Sequence, residues 1–206
     1  MRHVSRALAV AAALCAVSPA RAADPVPQRM HAPISVAGPD QALFSEAVLY
    51  FSNAVRRQHG RPPLRLDPGL SRAAAEHALN MARLRTHSHE LPVRGQKKLS
   101  QRIKRQSLTY RNAAENIAMD KVYRLLGRPI AMGSQGCRFV YGDTRQPVPI
   151  HTYASLAEGV VARWLASPKH RASLLSPRFQ RIGAGVGVDP GGQACGDLYL
   201  VQTFAD

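Results

Sequence analysis

Apolar side chains recur at helical spacing in the first half of the chain. A first helix is predicted from Asp40 to Gln58, with Gly60 as a stop signal, because apolar positions there lie three or four residues apart. These positions are Phe44, Val48, Phe51 and Val55. A second helix is predicted after Asp67, which can cap it, with Pro68 in the first helical position. Its apolar stripe comprises Leu70, Ala74, His77, Met81 and Leu84.

Three shorter helices are predicted further along the chain. Leu99 and Ile103 lie four residues apart within the basic stretch 94–106, which favours an exposed amphipathic helix with a solvated charged face. Ser155 and Glu158 have the spacing of a capping box, so a helix is predicted to open there. Ser167, followed by proline, is expected to begin another short helix in the cap-then-proline manner.

The C-terminal part of the chain alternates as β-strands do. The run R-I-G-A-G-V-G-V is followed by the turn D-P-G-G and by a second strand, L-Y-L-V-Q-T-F. Gly183, Gly185 and Gly187 fall on one face of the first strand, so a close approach of another element to that face is predicted. Helices first and strands last predict an α+β fold with helices packed on a sheet.

The N-terminus and one internal segment interrupt this pattern. Residues 1–22 have the layout of a signal peptide: a basic start, a short apolar run and small residues at cleavage spacing. Residues 23–39 carry four prolines and are predicted to form an extended leader. Residues 127–152 are predicted to be a hairpin-like insertion, because glycines and prolines surround the β-rich piece C-R-F-V-Y. The domain itself is expected to occupy 40–206, with no transmembrane span.

The charge balance bears on the partner. The chain has a formal net charge of +15, which favours anionic partners by long-range attraction, although simple solubility is the alternative explanation. Export to the periplasm or the extracellular space makes nucleic acid an unexpected partner and favours lipids or anionic components of the envelope.

The cysteines agree with export. Cys15 lies in the predicted signal peptide, so the mature chain would keep Cys137 and Cys195. Two cysteines in an oxidising compartment are predicted to form a disulfide; two buried free thiols are the alternative.

Several segments resemble the CAP superfamily, which groups cysteine-rich secretory, antigen 5 and pathogenesis-related proteins. The matching runs are F-S-N-A-V-R-R-Q-H-G-R-P-P-L at 51–64, A-A-A-E-H-A-L-N-M-A at 73–82, H-S-H at 87–89, A-E-N-I-A at 114–118, W-L-A-S-P-K-H-R at 164–171 and the closing R-I-G-A-G-V-G-V. The Trp-containing run is similar to the bacterial branch. The resemblance implies an α-β-α sandwich with a central antiparallel sheet and a surface cleft.

The resemblance also implies a site in that cleft, at His89, Glu115 and His170. Two neutral imidazoles and a carboxylate suit Zn²⁺ with one coordination position open, and a metal-bound water there could be activated for hydrolysis. A fourth, acidic residue of the family pattern is replaced by Ser167, which capping explains. His77 is interpreted as a packed core histidine, because it lies on an apolar stripe, and His87 is expected near the rim of the cleft.

Three functions compete at this stage. The first is an exported binding module for lipid-like or envelope ligands that uses the His/Glu cleft. The second is a metal-dependent hydrolase using His89, Glu115 and His170, and the third is a structural protein with an inert cleft. No serine or cysteine nucleophile motif supports the second, and a monomer is expected in each case.

Overall fold

The computed structural model describes residues 25–132 and 137–206, so the predicted signal peptide lies outside the described residues. The helices of these ranges are α1 (Gln41–Gln58), α2 (Pro68–Leu84), α3 (Leu99–Arg105), α4 (Tyr153–Ala166) and α5 (Pro168–Leu174). The strands are β1 (Arg65–Leu66), β2 (Ala113–Lys121), β3 (Ile130–Met132), β4 (Phe139–Tyr141), β5 (Arg181–Asp189) and β6 (Asp197–Ala205). Within the described part of the chain, no helix combines the length and the apolar character needed to cross a bilayer.

The main sheet has four strands in the order β1-β5-β6-β2. The predicted C-terminal pair is confirmed, since β5 and β6 are antiparallel neighbours from Arg181–Ala205 to Asp189–Asp197. Strand β2 pairs with β6 along nine residues, also antiparallel, and β1 adds two residues parallel to β5. The sheet is therefore mixed rather than wholly antiparallel, because the short strand β1 enters the sheet directly after the turn that follows α1.

Helices cover both faces of this sheet, which confirms the expected sandwich. Helices α1 and α4 bury Phe44, Val48 and Trp164 with the sheet residues Leu200 and Phe204 in the larger apolar core. On the opposite face, α2 packs a second core, whose members include Ala74, Ala78, Met81, Ile117 and Val201. Burial of this apolar surface supplies the main driving force for holding the three layers together.

The predicted close approach to the glycine face of β5 is made by the backbone of α2. A Cβ atom built on Gly183, Gly185 or Gly187 would lie 2.1, 2.3 and 2.1 Å from its nearest α2 backbone atom, respectively. Real Cβ atoms do not come this near to backbone, so each position must lack a side chain. The three glycines thereby set the distance between α2 and the sheet.

Most of the predicted helix starts are correct, but two local interpretations are wrong. Helix α4 begins at Tyr153, capped by Thr152, whose side chain and that of Ser155 each accept a bond from the other's backbone N–H; Glu158 lies outside this box. Thr152 prevails because its hydroxyl reaches the backbone N–H three residues on. The side chain of Ser167 makes no capping bond, although α5 does begin with the proline that follows it.

The segment before α1 is packed on the domain, whereas an extended leader was predicted. Residues Gln28–His31 form a 3₁₀ turn, and Met30 and Ile34 are buried in the larger core. The backbone N–H of Ile34 donates to His151 O at 2.8 Å. Two apolar side chains among the prolines therefore provide enough buried surface to hold this segment. The division of the chain at residue 40 stays a prediction.

The segment 127–152 contains the expected small hairpin. Strands β3 and β4 pair antiparallel to each other and are not part of the main sheet. The predicted disulfide joins Cys137, before β4, to Cys195, in the 3₁₀ turn between β5 and β6. It therefore attaches the hairpin to the connection between the two longest strands of the sheet.

Candidate ligand-binding site around Glu115

Glu115 stands at the centre of a buried polar cluster. The segment A-E-N-I-A belongs to β2, where Glu115 pairs with Thr203 of β6. Only 3% of the Glu115 side chain is exposed. Its Oε1 accepts a hydrogen bond from His89 Nδ1 at 2.9 Å, and its Oε2 accepts one from Arg102 Nη2 at 2.7 Å. Both carboxylate oxygens therefore already have donors.

Arg102 of α3 is a member of this cluster that sequence reasoning missed. The basic stretch was expected to form a solvated face, yet only 1% of the Arg102 side chain is exposed. Besides its bond to Glu115, the guanidinium donates to the main-chain oxygens of Gln96 at 3.0 Å, Lys97 at 3.1 Å and His89 at 3.3 Å. Arg102 thus fastens the loop between α2 and α3, which carries His89, to β2.

Two opposing effects set the pKa of the buried Glu115 carboxyl. Burial raises the pKa of the Glu115 carboxyl, but the hydrogen bond from His89 and the charge of Arg102 together outweigh it, and the pKa falls below its ordinary value. Glu115 is therefore ionised at neutral pH. Placing an ionised carboxylate and a guanidinium in the interior costs desolvation energy that their attraction only partly offsets.

His77 of α2 is buried, as its apolar stripe predicted, and it also faces the cluster. Its Nε2 lies 3.7 Å from Glu115 Oε1, too far for a hydrogen bond, and has no other partner among the described residues. Burial lowers the pKa of His77 to about 4, more than the nearby carboxylate raises it. The imidazole is therefore neutral at pH 7 and contributes no second positive charge.

The hydrogen bond from His89 to Glu115 determines which ring nitrogen of His89 faces solvent. An ionised carboxylate only accepts hydrogen bonds, so His89 must carry a proton on Nδ1. The side chain is 54% exposed, and its Nε2 has no partner in the described part of the chain. When the ring is neutral, Nε2 is an acceptor, available to a ligand that donates a hydrogen bond. Glu115, which is itself hydrogen-bonded to Arg102, fixes the position of that acceptor.

His87 and His170 lie in the same region but do not join the hydrogen bonds. Burial lowers the pKa of each, and the charge of His89 lowers it further, so both rings lie within electrostatic range of His89. The main-chain oxygen of His170, on α5, accepts a bond from Asn116 Nδ2 at 3.2 Å, beside Glu115 on β2. Of the three predicted site residues, the structure therefore joins His89 and Glu115 directly and places His170 nearby.

The donor set does not fit zinc as it is arranged. A zinc ligand offers a free lone pair, whereas both Glu115 oxygens are used and one faces the cationic guanidinium of Arg102. Across residues 25–132 and 137–206, no three His, Cys, Asp or Glu side chains form a group that could hold a metal ion. Zinc at His89, Glu115 and His170 stays a prediction, and it would require Arg102 to leave the carboxylate.

A signal for Arg102 does exist in the sequence. It lies three residues after Leu99, so helical periodicity places it beside that apolar residue on one side of α3. Its charge prompted the opposite interpretation. The neighbouring groove of about 690 Å³ is lined by Ala114 and Ala172 and reaches neither His89 nor Glu115.

Comparison with known proteins supports the resemblance noted in the sequence. Residues 49–102 and 101–204 match the CAP family, described as the cysteine-rich secretory protein family. The uncharacterized protein YkwD of Bacillus subtilis is 27% identical over 144 residues, which is 70% of this chain and 42% of YkwD. The chain thus spans less than half the length of that relative.

Solved structures share the fold at low sequence identity. An extracellular protein of Bacillus anthracis that contains an SCP domain is 22% identical with a TM-score of 0.51, covering 79% of this chain and 40% of that one. An outer surface protein of Borrelia burgdorferi is 17% identical with a TM-score of 0.53, covering 81% of this chain and 95% of that one. The family match spans well over half of the chain, in the order and fold that the sequence motifs implied. The chain therefore belongs to the CAP family of cysteine-rich secretory proteins.

Proposed function

We propose that this chain is an exported binding module that holds a lipid-like or envelope ligand at the cleft formed by His89, Glu115 and His170. The observation that carries the proposal is the half-exposed imidazole of His89, which an ionised, buried Glu115 orients from below. Replacing a buried ion pair such as Arg102 and Glu115 with two well-packed apolar residues often leaves a folded protein as stable or makes it more stable. Stability alone therefore does not explain why these two charges are buried.

The chemistry of the exposed ring supports a ligand that carries a hydroxyl group. When its ring is neutral, His89 offers Nε2 as an acceptor, and the lowered pKa values of His87 and His170 favour the uncharged rings at pH 7. Imidazole rings in the neutral form provide a surface that is partly apolar and partly hydrogen-bonding. Such a surface suits the hydroxyl end of an amphiphile better than a bare anion.

Binding is favoured over hydrolysis because the cluster lacks the parts of an enzyme. Among the described residues, no serine, threonine or cysteine side chain is hydrogen-bonded to His87, His89 or His170. The metal-dependent alternative would need Glu115 to release Arg102 and to bind a metal ion in its place. A positioned acceptor with no nucleophile beside it is the arrangement expected of a binding site.

Export is supported by three observations. The N-terminus has the layout of a signal peptide, the two remaining cysteines form a disulfide, and structural relatives are an extracellular and an outer surface protein. Fractionation of cells that make the full chain tests this part. The chain should be recovered outside the cytoplasm, shortened by about 22 residues and without free thiols. Recovery of the full-length, reduced chain from the cytoplasm would contradict it.

The binding proposal is tested with a matched pair of ligands. A fluorescent long-chain alcohol and its methyl ether differ in that a methyl group replaces the hydroxyl hydrogen, so only the alcohol can donate a hydrogen bond to His89 Nε2. The alcohol should bind about threefold to tenfold more tightly than the ether, and His89→Ala should remove that preference. His31→Ala, which deletes another exposed imidazole, is the control and should keep the preference. Equal binding of the alcohol and the ether by the unmodified chain would refute the proposed site.

A further inference from the structure

Three grooves adjoin one another at the end of the molecule formed by α5 and the loop 109–112. Their volumes are about 560, 690 and 700 Å³. The first and second share Ala172 and Ser176, and the second and third share Arg111 and Arg178. The first and third also share Pro177, so the three grooves form one continuous surface, and we refer to them together as the basic strip.

The strip carries an excess of positive charge that the protein itself does not neutralise. Its basic lining residues are Arg61, Lys98, Arg111, Arg171, Arg178 and Arg181. Arg181 pairs with Asp67 at 3.0 Å, whereas the other five have no acidic side chain within 4 Å among the described residues. The acidic lining residue is Asp206, whose carboxylate already accepts three hydrogen bonds, from the backbone of Arg111 and from Asn112.

The basic stretch 94–105 contrasts with this strip. There Arg102 is buried against Glu115, Lys97 lies 4.0 Å from Glu90, and Arg105 lies 3.8 Å from Glu76. Half of the basic residues of that stretch therefore already have acidic neighbours. Five unpaired cations lie in the strip, four of them outside this stretch, and only the folded chain brings them together.

The remaining lining favours a hydroxylated chain over a membrane surface. Tyr110, Asn112, Ser173 and Ser176 line the middle groove and offer hydroxyl, amide and aromatic contacts. The exposed large apolar side chains of the described residues lie elsewhere: Leu79, Leu84, Met119, Leu126, Met132 and Ile150. A surface that docks on lipid usually presents apolar side chains beside its basic ones. The strip contains none of these six side chains, although Leu99, Leu175 and Phe179 contribute apolar surface to its lining.

We propose that the basic strip binds an extended, hydroxyl-rich polyanion whose carboxylate or phosphate groups repeat along its length. A single small anion would occupy one groove, whereas cations distributed over three connected grooves match charges that recur along a chain. None of the residues His89, Glu115 and His170 lines these grooves. This second site therefore goes beyond the proposed function and does not depend on it.

The proposal is tested by titrating the full chain with defined polymers. Alginate supplies repeating carboxylates, polyglycerol phosphate supplies repeating phosphodiesters, and dextran is the uncharged control. At least one of the two polyanions should bind, more weakly at about 0.2 M salt than at low salt, and dextran should not. The polyanion that binds more tightly identifies the anion. Absence of binding to both polyanions at low salt would overturn the proposal.

Matched variants separate a site from a general effect of net charge. Arg111→Gln combined with Arg178→Gln should weaken polyanion binding about tenfold at low salt. Arg83→Gln combined with Arg124→Gln removes the same charge from exposed positions outside the strip and should change binding by less than about twofold.

Two further results would overturn the proposal. One is an equal loss in both double variants, which would mean that net charge alone attracts the polymer. The other is tighter binding to anionic phospholipid vesicles than to either polymer, which would identify a membrane as the partner. His89→Ala should leave polymer binding unchanged, so failure of the cleft proposal and failure of this one give different results.

Discussion

Replacing Arg102 with methionine tests the buried cluster most severely. The change keeps a long side chain in place but removes a guanidinium that donates to Glu115 and to three main-chain oxygens. Removing one partner of a buried ion pair typically costs about 3–5 kcal/mol, because the other charge is left without compensation. We therefore expect the free energy of unfolding to fall by about that amount at pH 7, as measured by denaturant titration.

The pH dependence of this loss is the sharper part of the prediction. In the unmodified chain the pKa of Glu115 is lowered in the folded state, so its contribution to stability is present above the unfolded pKa and is lost as pH falls through the folded value. Without Arg102, burial should dominate and raise that pKa. The variant then gains relative stability when Glu115 takes up a proton, and the difference between the two chains should shrink as pH falls from 7 towards about 4.

Controls distinguish the ion pair from simple disruption of α3. Lys104→Met changes an exposed cation of the same helix and should alter stability by less than about 0.5 kcal/mol. Arg102→Lys keeps the charge without the forked donors and should fall between the unmodified chain and Arg102→Met. The reasoning would be refuted if Arg102→Met cost no more than Lys104→Met, or if its cost did not change with pH.

The remaining predictions concern packing, the disulfide and metal. Gly185→Ala should destabilise the fold by more than about 3 kcal/mol, since its Cβ would lie 2.3 Å from the α2 backbone. Gly159→Ala, whose Cβ would lie in open space on α4, should stabilise the fold by about 1 kcal/mol. Thermal unfolding of both variants measures the two effects. Reduction of Cys137–Cys195, which closes a loop of 58 residues, should lower stability by about 4 kcal/mol, and an unchanged midpoint in dithiothreitol would contradict this. Purified protein should contain no more zinc by elemental analysis than its His89→Ala variant, and a stoichiometric excess would revive the metal site.

Local patterns in the sequence were sufficient to predict much of the fold. Asp40 and Asp67 accept hydrogen bonds at the start of α1 and α2, as capping residues that precede an apolar stripe are expected to do. The alternating glycines of β5 predicted a close contact, because only an approaching backbone explains three empty positions on one face. Such features act over a few residues and can be derived without knowledge of the tertiary structure.

The chemistry of the site could be predicted only in part, because it depends on contacts between distant segments. The family motifs brought His89 and Glu115 together, and the structure joins them by a hydrogen bond. Arg102 was interpreted as solvated, since a basic stretch on a short helix usually is, and its burial is compensated by Glu115 and by main-chain oxygens of the preceding loop. The unpaired arginines Arg111 and Arg178 share a groove through folding alone.

The central claim is that an ionised Glu115 fixes the ring of His89 so that Nε2 is free to accept a bond from a ligand. Two-bond proton–nitrogen NMR spectra of the histidine rings, recorded at a pH where exposed rings are neutral, test it directly. We expect His89 to keep its proton on Nδ1 and Glu115→Gln to weaken this preference. The ring proton of the exposed His31 should be distributed in the same way in both chains. A proton found on Nε2 of His89 in the unmodified chain would contradict it.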